Sequence, residues 1–251
     1  MTLQEFFSVH PKAALAFSGG VDSAYLLYAG LQAGADIRPY YGKSQFQPQF
    51  EYEDAMRLCR ELGAEPRVLR LDVLCSPDVA RNGPDRCYHC KINIMSTILT
   101  AAAGDGYTVL LDGTNASDDA GDRPGMRALR ELEILSPLRL CGLTKPMIRR
   151  LSREAGLFTW NKPAYACLAT RVKTGEIITN ERLAAIEASE DYLFSRGYTD
   201  FRVRTAGKTA LLQFPAGQLE RAKSEEAEIA GRLGAFFASI HIDPEGRKTG
   251  L

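Results

Sequence analysis

Two kinds of segment alternate along the first part of the chain. Short apolar or alternating runs occupy residues 13–17, 37–41, 67–73 and 108–112, and segments with apolar residues at helical spacing occupy residues 24–28, 51–62 and 91–103. Strands that alternate with helices of ten or more residues predict parallel βαβ units, with helices on both faces of one sheet. Such sheets bind ligands beyond the carboxyl ends of their strands. We therefore examine the loops after Phe17, Tyr41 and Asp112.

The pattern changes after Cys167. An amphipathic helix is predicted over residues 180–196, strands over 201–205 and 210–214, two helical pieces over 218–237 and a last strand over 238–242, followed by a polar tail. These short elements predict a small α+β domain at residues 174–251, after an α/β domain at residues 1–173. The basic side chains of Lys145, Arg149, Arg150 and Arg153 are predicted to form a solvated helix face.

The amino-acid composition indicates a globular protein and argues against a membrane-spanning or strongly basic one. The 251 residues are 45% hydrophobic and 25% charged, which is typical of a globular chain. Lys plus Arg and Asp plus Glu both total 31, so no overall positive field would hold a nucleic-acid backbone. No apolar stretch approaches the roughly 18 residues of a membrane-spanning helix, and the first residues do not resemble an export signal. We expect a cytoplasmic protein with six reduced cysteines.

Residues 18–23, SGGVDS, lie between a predicted strand and a predicted helix. Backbone N–H groups and the positive end of the helix dipole converge there, so the segment suits a phosphate. The glycines allow close backbone approach, and the serine hydroxyls add hydrogen-bond donors. The segment matches neither GxxxxGK[ST] nor GxGxxG. An isolated SGG would more simply be a tight turn.

In this setting the hexapeptide resembles the PP-loop signature of the ATP pyrophosphatases, which transfer AMP from ATP to a substrate oxygen and release pyrophosphate. The resemblance implies a Rossmann-like, adenine nucleotide α-hydrolase-like sheet, and it places adenine and ribose near Lys43 and Ser44. It also implies a pyrophosphate cradle made by Ser18, Gly19, Gly20, Val21, Asp22 and Ser23.

A second candidate segment, residues 112–119, follows the fourth predicted strand. Gly113 stands at its turn, and Asp112, Asp118 and Asp119 could hold Mg²⁺ together with the nucleotide phosphates. A solvated turn is an equally good interpretation from spacing alone.

Further segments resemble the LarE family of sulfur transferases over nearly the whole chain. They are residues 112–119, 121–125, 136–138, 143–145, 162–171 (KPAYACLATR), 202–204 and 245–250. The serine before the paired aspartates and CLATR in place of CLASR are mild departures. The resemblance implies that ATP adenylates a carboxylate of pyridinium-3,5-biscarboxylic acid mononucleotide and that sulfur then replaces AMP, in the synthesis of the nickel-pincer nucleotide cofactor. An acyl-adenylate has a good leaving group, which a carboxylate lacks.

The resemblance places the sulfur donor at Cys167 and offers two sulfur sources. In one form of the family a single cysteine gives up its own sulfur. Cys87 and Cys90 resemble the three-cysteine form, in which they bind a [4Fe-4S] cluster with Cys167 and leave one iron open for hydrosulfide from an external donor. Without the resemblance, zinc and iron–sulfur are equally good interpretations of this CxxC, followed closely by an inert dithiol.

The resemblance makes residues 1–173 the PP-loop ATP pyrophosphatase domain and residues 174–251 a substrate-binding and oligomerisation domain. The candidate substrate residues lie in the second domain, except Arg171, which comes just before it. Arg202 and Arg204 project from one face of a strand and can grip a phosphate together, although a solvated face is the simpler interpretation without the family resemblance. Glu190 falls by spacing near an acid of the family's substrate pocket. Arg171 could stabilise a thiolate at Cys167, or form an exposed salt bridge. The resemblance implies a homo-oligomer that acts on a small nucleotide.

Two other functions stay open. A tRNA thiolase of the same superfamily would activate a base carbonyl, but the zero net charge and the lack of a basic, aromatic-rich stretch argue against a nucleic-acid partner. A nucleotide-binding module without chemistry would need the glycine turn but would leave the cysteines without a purpose.

Overall fold

The computed structural model of the chain describes residues 1–118 and 124–247, which form two compact units. The first unit comprises residues 1–73 and 85–162, and the second comprises residues 74–84 and the chain from Pro163 onward. The predicted boundary between residues 173 and 174 lies inside the second unit, and the assignment of separate functions to the two predicted domains stays a prediction. Asp119 and the motif residues 121–123 and 248–250 lie outside the described residues.

The first unit is built on a four-stranded sheet in the order β3-β2-β1-β4, with all neighbouring strands parallel. Its strands are β1 (Lys12–Ala16), β2 (Asp36–Lys43), β3 (Arg67–Arg70) and β4 (Leu110–Leu111). Its helices are α1 (Leu3–Val9), α2 (Val21–Gln32), α3 (Gln49–Glu61), α5 (Arg86–Gly104), α6 (Pro124–Glu131), α7 (Pro137–Leu140) and α8 (Lys145–Glu154). The predicted α/β fold with a parallel sheet is confirmed.

The apolar side chains of β1 are buried on both faces of the sheet. Ala13 and Leu15 pack in the core that contains α2, whereas Ala14 packs in the core that contains Ile98 of α5. Side chains alternate along a strand, and a parallel sheet is covered on both faces. The continuous hydrophobicity of residues 13–17 follows from this double burial.

Helix α1 is an element that the strand-and-helix pattern did not predict. Thr2 and Glu5 form a reciprocal capping box at its start, which satisfies two of the free N–H groups of the first turn. Phe6 and Phe7 are buried in the core. The capping box, at sequence spacing three, was the available signal for this helix.

The second unit contains a small three-stranded sheet in the order β5-β6-β7. Its helices are α4 (Pro77–Ala80), α9 (Asn180–Ser195), α10 (Ala216–Ser224) and α11 (Glu226–Leu233), and its strands are β5 (Arg202–Ala206), β6 (Thr209–Gln213) and β7 (Ser239–Ile242). Strands β5 and β6 form the predicted antiparallel hairpin, and β7 pairs parallel to β6. The predicted small α+β unit at the carboxyl end is confirmed.

Residues 74–84, a segment from the first part of the chain, belong to this second unit. Asn82 donates from its side-chain amide to the carbonyl oxygens of Val172 and Lys173, and its own carbonyl accepts from the Gly175 N–H at 2.9 Å. The Ile178 N–H donates to the Ala80 carbonyl oxygen at 2.8 Å. These bonds join residues far apart in sequence, so a reading along the chain does not show them.

Among the described residues, no helix has the length and apolarity to cross a lipid bilayer.

Candidate active site

The glycine turn, residues 18–23, connects β1 to α2 in the first unit. Gly19 has a φ of 73°, in the left-handed region, and a Cβ added there would lie 2.7 Å from the Cβ of Ala55 on α3. Gly20 is the N-cap of α2. Glycine is therefore required at Gly19 both for its backbone conformation and for its close packing against α3. The turn opens at the positive end of the α2 dipole.

The serine hydroxyls hold the glycine turn together from within. The Ser18 and Ser23 Oγ atoms lie 3.1 Å apart, and the Ser23 hydroxyl donates to the Gly20 carbonyl oxygen at 3.2 Å. The Ser18 N–H donates to Ser23 Oγ at 3.4 Å. The proposed phosphate donors therefore belong to one small, preorganised group.

Gly113 lies against this turn, as its place after β4 predicts. A Cβ added to Gly113 would lie 2.9 Å from the backbone nitrogen of Ser23. Strands β1 and β4 are neighbours in the sheet, so their carboxyl ends bring the two loops together. A side chain at residue 113 would displace the first turn of α2.

Asp22 is paired with Lys145, which the sequence analysis placed on a solvated helix face. Its Oδ2 accepts from Lys145 Nζ at 2.5 Å, whereas its Oδ1 is buried and has no hydrogen-bond partner among the described residues. Burial raises the pKa of Asp22, and Lys145 opposes this rise. A buried carboxylate oxygen without a partner, at the edge of a phosphate cradle, suits a bound Mg²⁺.

The predicted solvated face of α8 is therefore wrong for two of its residues. Lys145 binds Asp22, and Arg149 donates to the carbonyl oxygens of Trp160 and Lys162 at 2.7 and 2.9 Å. Charge patterning alone predicts exposure, but the helix packs its first turns against the body of the unit.

The carboxylates after β4 accept hydrogen bonds from their own loop and from Ser136, which precedes α7. Asp112 accepts from the hydroxyls of Thr114 and Ser136 at 2.5 and 2.6 Å, and Asp118 accepts from the Asn115 N–H at 2.8 Å. Within the described part of each unit, no three Cys, His, Asp or Glu side chains are grouped as a metal site. The Mg²⁺ edge predicted at this loop stays a prediction.

Lys43 and Ser44 lie at the carboxyl end of β2. Lys43 Nζ donates to the Gln47 carbonyl oxygen at 2.5 Å, and both the N–H and the hydroxyl of Ser44 donate to Gln47 Oε1. The segment is a closed turn at the same edge of the sheet as the glycine turn, since β1 and β2 are parallel neighbours. Its role in holding adenine and ribose stays a prediction.

The CxxC lies within the first two turns of α5 rather than before the helix. The helix begins at Arg86, five residues earlier than the predicted start at residue 91, and Cys87 is exposed whereas Cys90 is buried. Residues three apart in a helix lie on neighbouring positions of its surface, and both cysteines lie in the first two turns, at the positive end of the helix dipole. Both residues belong to the first unit, whereas Cys167 belongs to the second.

The second unit contains a cavity of about 510 Å³, the arginine cavity. It is lined by Ala164, Ala166, Thr170, Arg171, Arg202, Arg204, Gln213, Asp243, Glu245, Gly246 and Arg247. Cys167 lies in the chain between the lining residues Ala166 and Thr170, and the Thr170 hydroxyl donates to its carbonyl oxygen at 2.8 Å. The segment that carries the candidate sulfur donor thus forms part of the cavity wall.

Arg202 and Arg204 both line the arginine cavity, as their shared strand face predicts. Arg202 is only 6% exposed, and it donates to the carbonyl oxygens of Phe201 and Ala164, both at 2.6 Å. Arg204 donates to Gln213 Oε1 at 2.6 Å and to the Thr170 carbonyl oxygen at 3.1 Å. These acceptors are neutral. Burial, followed by the nearby Arg171, lowers the pKa of Arg202 to about 10.

Glu190 and Arg171 form a buried ion pair. Glu190 accepts from Arg171 Nε at 2.8 Å, from the Val203 N–H at 2.9 Å and from the Tyr165 hydroxyl. The side chains of Arg171 and Glu190 are 1% and 2% exposed, so the exposed salt bridge considered for Arg171 is wrong in its exposure. Glu190 is not among the residues that line the cavity; it accepts hydrogen bonds from Arg171 and Tyr165 behind the cavity wall.

Tyr165 contacts two of the arginines, and the sequence analysis did not identify it as a site residue. Its ring lies 4.6 and 5.3 Å from the guanidinium carbons of Arg171 and Arg202. Burial, followed by the Glu190 charge, raises the pKa of Tyr165, so the hydroxyl keeps its proton. An aromatic ring beside two cations stabilises them. The family motif KPAYACLATR contains this residue, which was the only available signal.

Comparison with known proteins decides the family. The chain is 32% identical over 210 residues to the pyridinium-3,5-bisthiocarboxylic acid mononucleotide synthase of Lactiplantibacillus plantarum, an alignment that covers 83% of this chain and 76% of that protein. The chain belongs to the LarE family of PP-loop sulfur transferases. No family model matches the chain.

Two further relatives fit this LarE family membership. An uncharacterized protein of Synechocystis sp. is 31% identical over 252 residues, covering 99% of this chain and 94% of that protein. The tRNA-specific 2-thiouridylase MnmA of Thermotoga neapolitana is 23% identical over 287 residues, covering 93% and 80%. The chain is therefore an ATP-dependent sulfur transferase of the PP-loop superfamily, and the predicted family and enzyme class are confirmed.

Proposed function

We propose that this LarE-family enzyme uses ATP to adenylate a carboxylate of pyridinium-3,5-biscarboxylic acid mononucleotide and then exchanges AMP for sulfur to give a thiocarboxylate. The observation that supports it most strongly is the arginine cavity. Its wall carries both the guanidinium groups of Arg202 and Arg204, which donate hydrogen bonds to neutral oxygens, and the segment around Cys167. The name of the Lactiplantibacillus relative describes the thiocarboxylate product of such a reaction.

In the first step the substrate carboxylate oxygen attacks the α-phosphorus of ATP, and the bond to the β-phosphate oxygen breaks. The N–H groups at the start of α2 and the hydroxyls of Ser18 and Ser23 would hold the departing pyrophosphate. Asp22 Oδ1 would bind Mg²⁺, and Lys145 neutralises the other oxygen of the same carboxylate.

Substrate binding would depend on Arg202 and Arg204. Arg202 shares the Asp200 carboxylate, 3.8 Å from its Nη1, with Arg247, and the described hydrogen bonds of Arg204 go to neutral oxygens. The nucleotide phosphate would accept short, charge-assisted hydrogen bonds from both guanidinium groups. Glu190 keeps Arg171 in place beside Tyr165.

Cys87, Cys90 and Cys167, as thiolates, would hold a [4Fe-4S] cluster, which would deliver sulfide from an external donor. The other sulfur source is Cys167 itself. In both cases the nucleophilic sulfur would displace AMP from the acyl carbon. With Cys167 as the donor, loss of its Cα proton and cleavage of its Cβ–Sγ bond would then release the thiocarboxylate and leave dehydroalanine, so each chain would act once.

We also propose a homo-oligomer. Light scattering on the purified chain would measure its oligomeric state.

The central test is incubation of the full chain with ATP, sulfide and the biscarboxylate mononucleotide, with pyrophosphate and product followed together. We expect substrate-dependent pyrophosphate release and a product in which sulfur has replaced oxygen. Arg202→Ala should raise KM for the mononucleotide and leave KM for ATP unchanged. Pyrophosphate release that requires tRNA instead would support the activity named for the MnmA relative, and no release with either would leave only a nucleotide-binding module.

The sulfur source has its own test. Anaerobic reconstitution with iron and sulfide should give a brown protein, and Cys87→Ala or Cys90→Ala should abolish both the colour and multiple turnover while ATP binding persists. A colourless protein whose Cys167 loses the mass of H₂S after one turnover would refute the cluster and establish the sacrificial route.

A further inference from the structure

We propose that Lys162 is a positioning residue for sulfur transfer, which fixes the start of the chain segment leading to Cys167 against two helices that contact the glycine turn. The inference rests on the proposed function, in which sulfur at Cys167 attacks an adenylate formed at that turn. It assigns Lys162 to the second step of the reaction and leaves adenylation to other residues. Lys162 opens the motif KPAYACLATR, and no function was predicted for it from the sequence.

The side chain of Lys162 is bound by two carboxylates of α3. Its Nζ lies 2.7 Å from Asp54 Oδ2 and 3.2 Å from Glu51 Oε1, and 5.7 Å from the centre of the Phe50 ring. The side chains of Lys162 and Glu51 are each 13% exposed. An ammonium group is costly to bury unless it is paired, so the two ion pairs hold this side chain on one helix.

Helix α3 also supports the glycine turn. Ala55 is the residue that a Cβ at Gly19 would meet at 2.7 Å, and it comes four residues after Glu51. Residues four apart lie on one face of a helix, about 6 Å apart along its axis. The attachment of Lys162 and the contact with the glycine turn therefore share one face of α3.

The main chain of Lys162 is bound by a second helix that contacts the same turn. Arg149 of α8 donates to the carbonyl oxygens of Lys162 and Trp160, at 2.9 and 2.7 Å. Lys145, four residues earlier in α8, forms the ion pair with Asp22 of the glycine turn. Both helices that bind Lys162 therefore contact the turn as well.

Chain connectivity links this attachment to the sulfur donor. The backbone of Lys162 is extended, with a φ of −62° and a ψ of 125°, as the following Pro163 favours. Cys167 comes five residues after Lys162, so chain length alone keeps their Cα atoms within about 18 Å of each other. Sulfur transfer requires the reacting atoms to approach within about 3–3.5 Å. Releasing the start of this segment should therefore slow the transfer without unfolding the protein.

The charges around Lys162 favour an attachment point over a ligand for ATP. Glu51 and Asp54 carry two carboxylates against one ammonium group, so their charges already balance that of Lys162. A phosphate of ATP would have to compete with both carboxylates for the same Nζ. We therefore expect the loss of Lys162 to leave ATP binding largely intact.

Rapid-quench assays on the full chain test the inference. The chain is held in excess over the biscarboxylate mononucleotide, with ATP and sulfide present, so that one turnover is followed for either sulfur source. Pyrophosphate and thiocarboxylate are measured in the same samples. We expect Lys162→Met to slow thiocarboxylate formation about tenfold to a hundredfold, and to change the rate of pyrophosphate release and the half-saturating ATP concentration less than about threefold.

Two further variants make the result specific. Lys162→Arg keeps the charge that binds the two carboxylates and should recover most of the lost rate. The control is Lys12→Met at the amino end of β1, where a half-exposed lysine lies 3.9 Å from Asp36. This variant removes a lysine from an ion pair in the same unit and should change neither rate.

The ratio of the two rates decides the matter, because an unfolded fraction of the chain lowers both rates equally. If Lys162→Met slows both steps by the same factor, raises the ATP requirement or slows neither step, the inference is overturned and the proposed function stands. A wild-type chain that does not convert the mononucleotide into a thiocarboxylate overturns the proposed function, and the inference fails with it.

A second variant covers a loss of folding. Lys162→Met leaves two carboxylates of α3 without their cation, which should lower the stability of the first unit. The double variant Glu51→Gln/Lys162→Met removes the charge of both partners at nearly constant volume and should be more stable. It should show the same selective loss of thiocarboxylate formation, and an equal loss of both steps in this variant would overturn the inference.

Discussion

The glycine turn of the first unit and the arginine cavity of the second both suit an anion, but they are built differently. The turn uses the N–H groups and serine hydroxyls of residues 18–23 and the dipole of α2, which carry partial charges, and its one full charge is the Asp22 carboxylate. The cavity uses full charges, on the guanidinium groups of residues 171, 202, 204 and 247 and on the carboxylates of residues 243 and 245. Donors fixed by the backbone meet an anion without reorganisation, whereas guanidinium groups on long side chains bind it through charge-assisted hydrogen bonds.

The two units also differ in how completely their buried carboxylates are hydrogen-bonded. Glu190 in the second unit accepts from a guanidinium, a backbone N–H and a hydroxyl. Glu51 in the first unit is paired with Lys162 at 3.2 Å, and burial raises its pKa against the effect of that lysine. A buried carboxylate with all its hydrogen bonds formed keeps its neighbours in one arrangement. A carboxylate with fewer hydrogen bonds keeps part of the free-energy cost of burying its charge, and this cost depends on pH.

The largest expected effect is on sulfur transfer, which we assign to Cys167 in the second unit, and it should leave adenylation, which we assign to the first unit, intact. Cys167→Ala should lower thiocarboxylate formation by at least about a thousandfold, because it removes the proposed sulfur-bearing thiolate. Pyrophosphate release, which depends on the glycine turn, should persist. Mass spectrometry of the product and a coupled pyrophosphate assay measure the two steps. Cys75→Ala, at an exposed cysteine of the second unit, is the matched control and should thiolate normally. Full thiolation by Cys167→Ala would remove this residue from the mechanism.

The next effect is on stability and concerns the second unit. Glu190→Gln should lower the free energy of unfolding by about 3–5 kcal/mol, because Arg171 is then buried without its counter-charge. Glu228→Gln breaks an ion pair with Arg196 at the surface and should cost less than about 1 kcal/mol. Urea unfolding of both variants gives the comparison. Equal losses would mean that the Arg171–Glu190 pair does not organise the cavity wall.

A smaller effect tests the geometry of the glycine turn. Gly19→Ala and Gly34→Ala both place alanine at a left-handed φ, of 73° and 75°, which costs about 1–2 kcal/mol. Only Gly19→Ala also forces a Cβ to 2.7 Å from Ala55, whereas a Cβ at Gly34 meets no atom within 4 Å. We expect Gly19→Ala to lose an additional 1–3 kcal/mol or so and to impair ATP binding. The two variants should not behave alike in denaturant unfolding or in ATP titration.

The smallest effect is a pH dependence in the first unit. Burial raises the pKa of Glu51 above its ordinary value of 4.5, so the folded state holds this proton more tightly than the unfolded state does. The contribution of Glu51 to the free energy of unfolding should therefore fall as pH rises from below 4.5 through the raised pKa. The difference in unfolding free energy between the wild type and Glu51→Gln should show this decline, and Glu53→Gln, at an exposed position of the same helix, should follow the wild-type pH profile. A difference that moves in favour of the wild type as pH rises would contradict the expectation.

The sequence was most informative where a feature is local. The alternation of apolar runs predicted the parallel sheet, and SGGVDS predicted a turn that the structure places between β1 and α2. Arg202 and Arg204, two apart in one strand, were expected to share a face, and both line the cavity. Local spacing is enough in these cases because helix and strand geometry alone sets which side chains point together.

Reasoning along the sequence failed where partners are distant. Lys145 was predicted to be solvated, yet it pairs with Asp22 from a helix more than a hundred residues away in the chain. Arg247 was placed in a tail, yet it lines the cavity beside Arg202. The segment of residues 74–84 was read as part of the first domain, yet Asn82 bonds it to the second unit. Nothing in local periodicity encodes such pairings.

The sequence by itself predicted most of the elements, a phosphate-binding turn and the cysteines proposed to carry sulfur chemistry, because such predictions depend on backbone preferences and on the chemistry of single side chains. The tertiary structure decided which charges have a partner. It pairs Glu190 with Arg171, shares Asp200 between Arg202 and Arg247, and, among the described residues, leaves Asp22 Oδ1 without a hydrogen-bond partner. Burial sets the energy of a charge, and burial is a property of the folded chain alone.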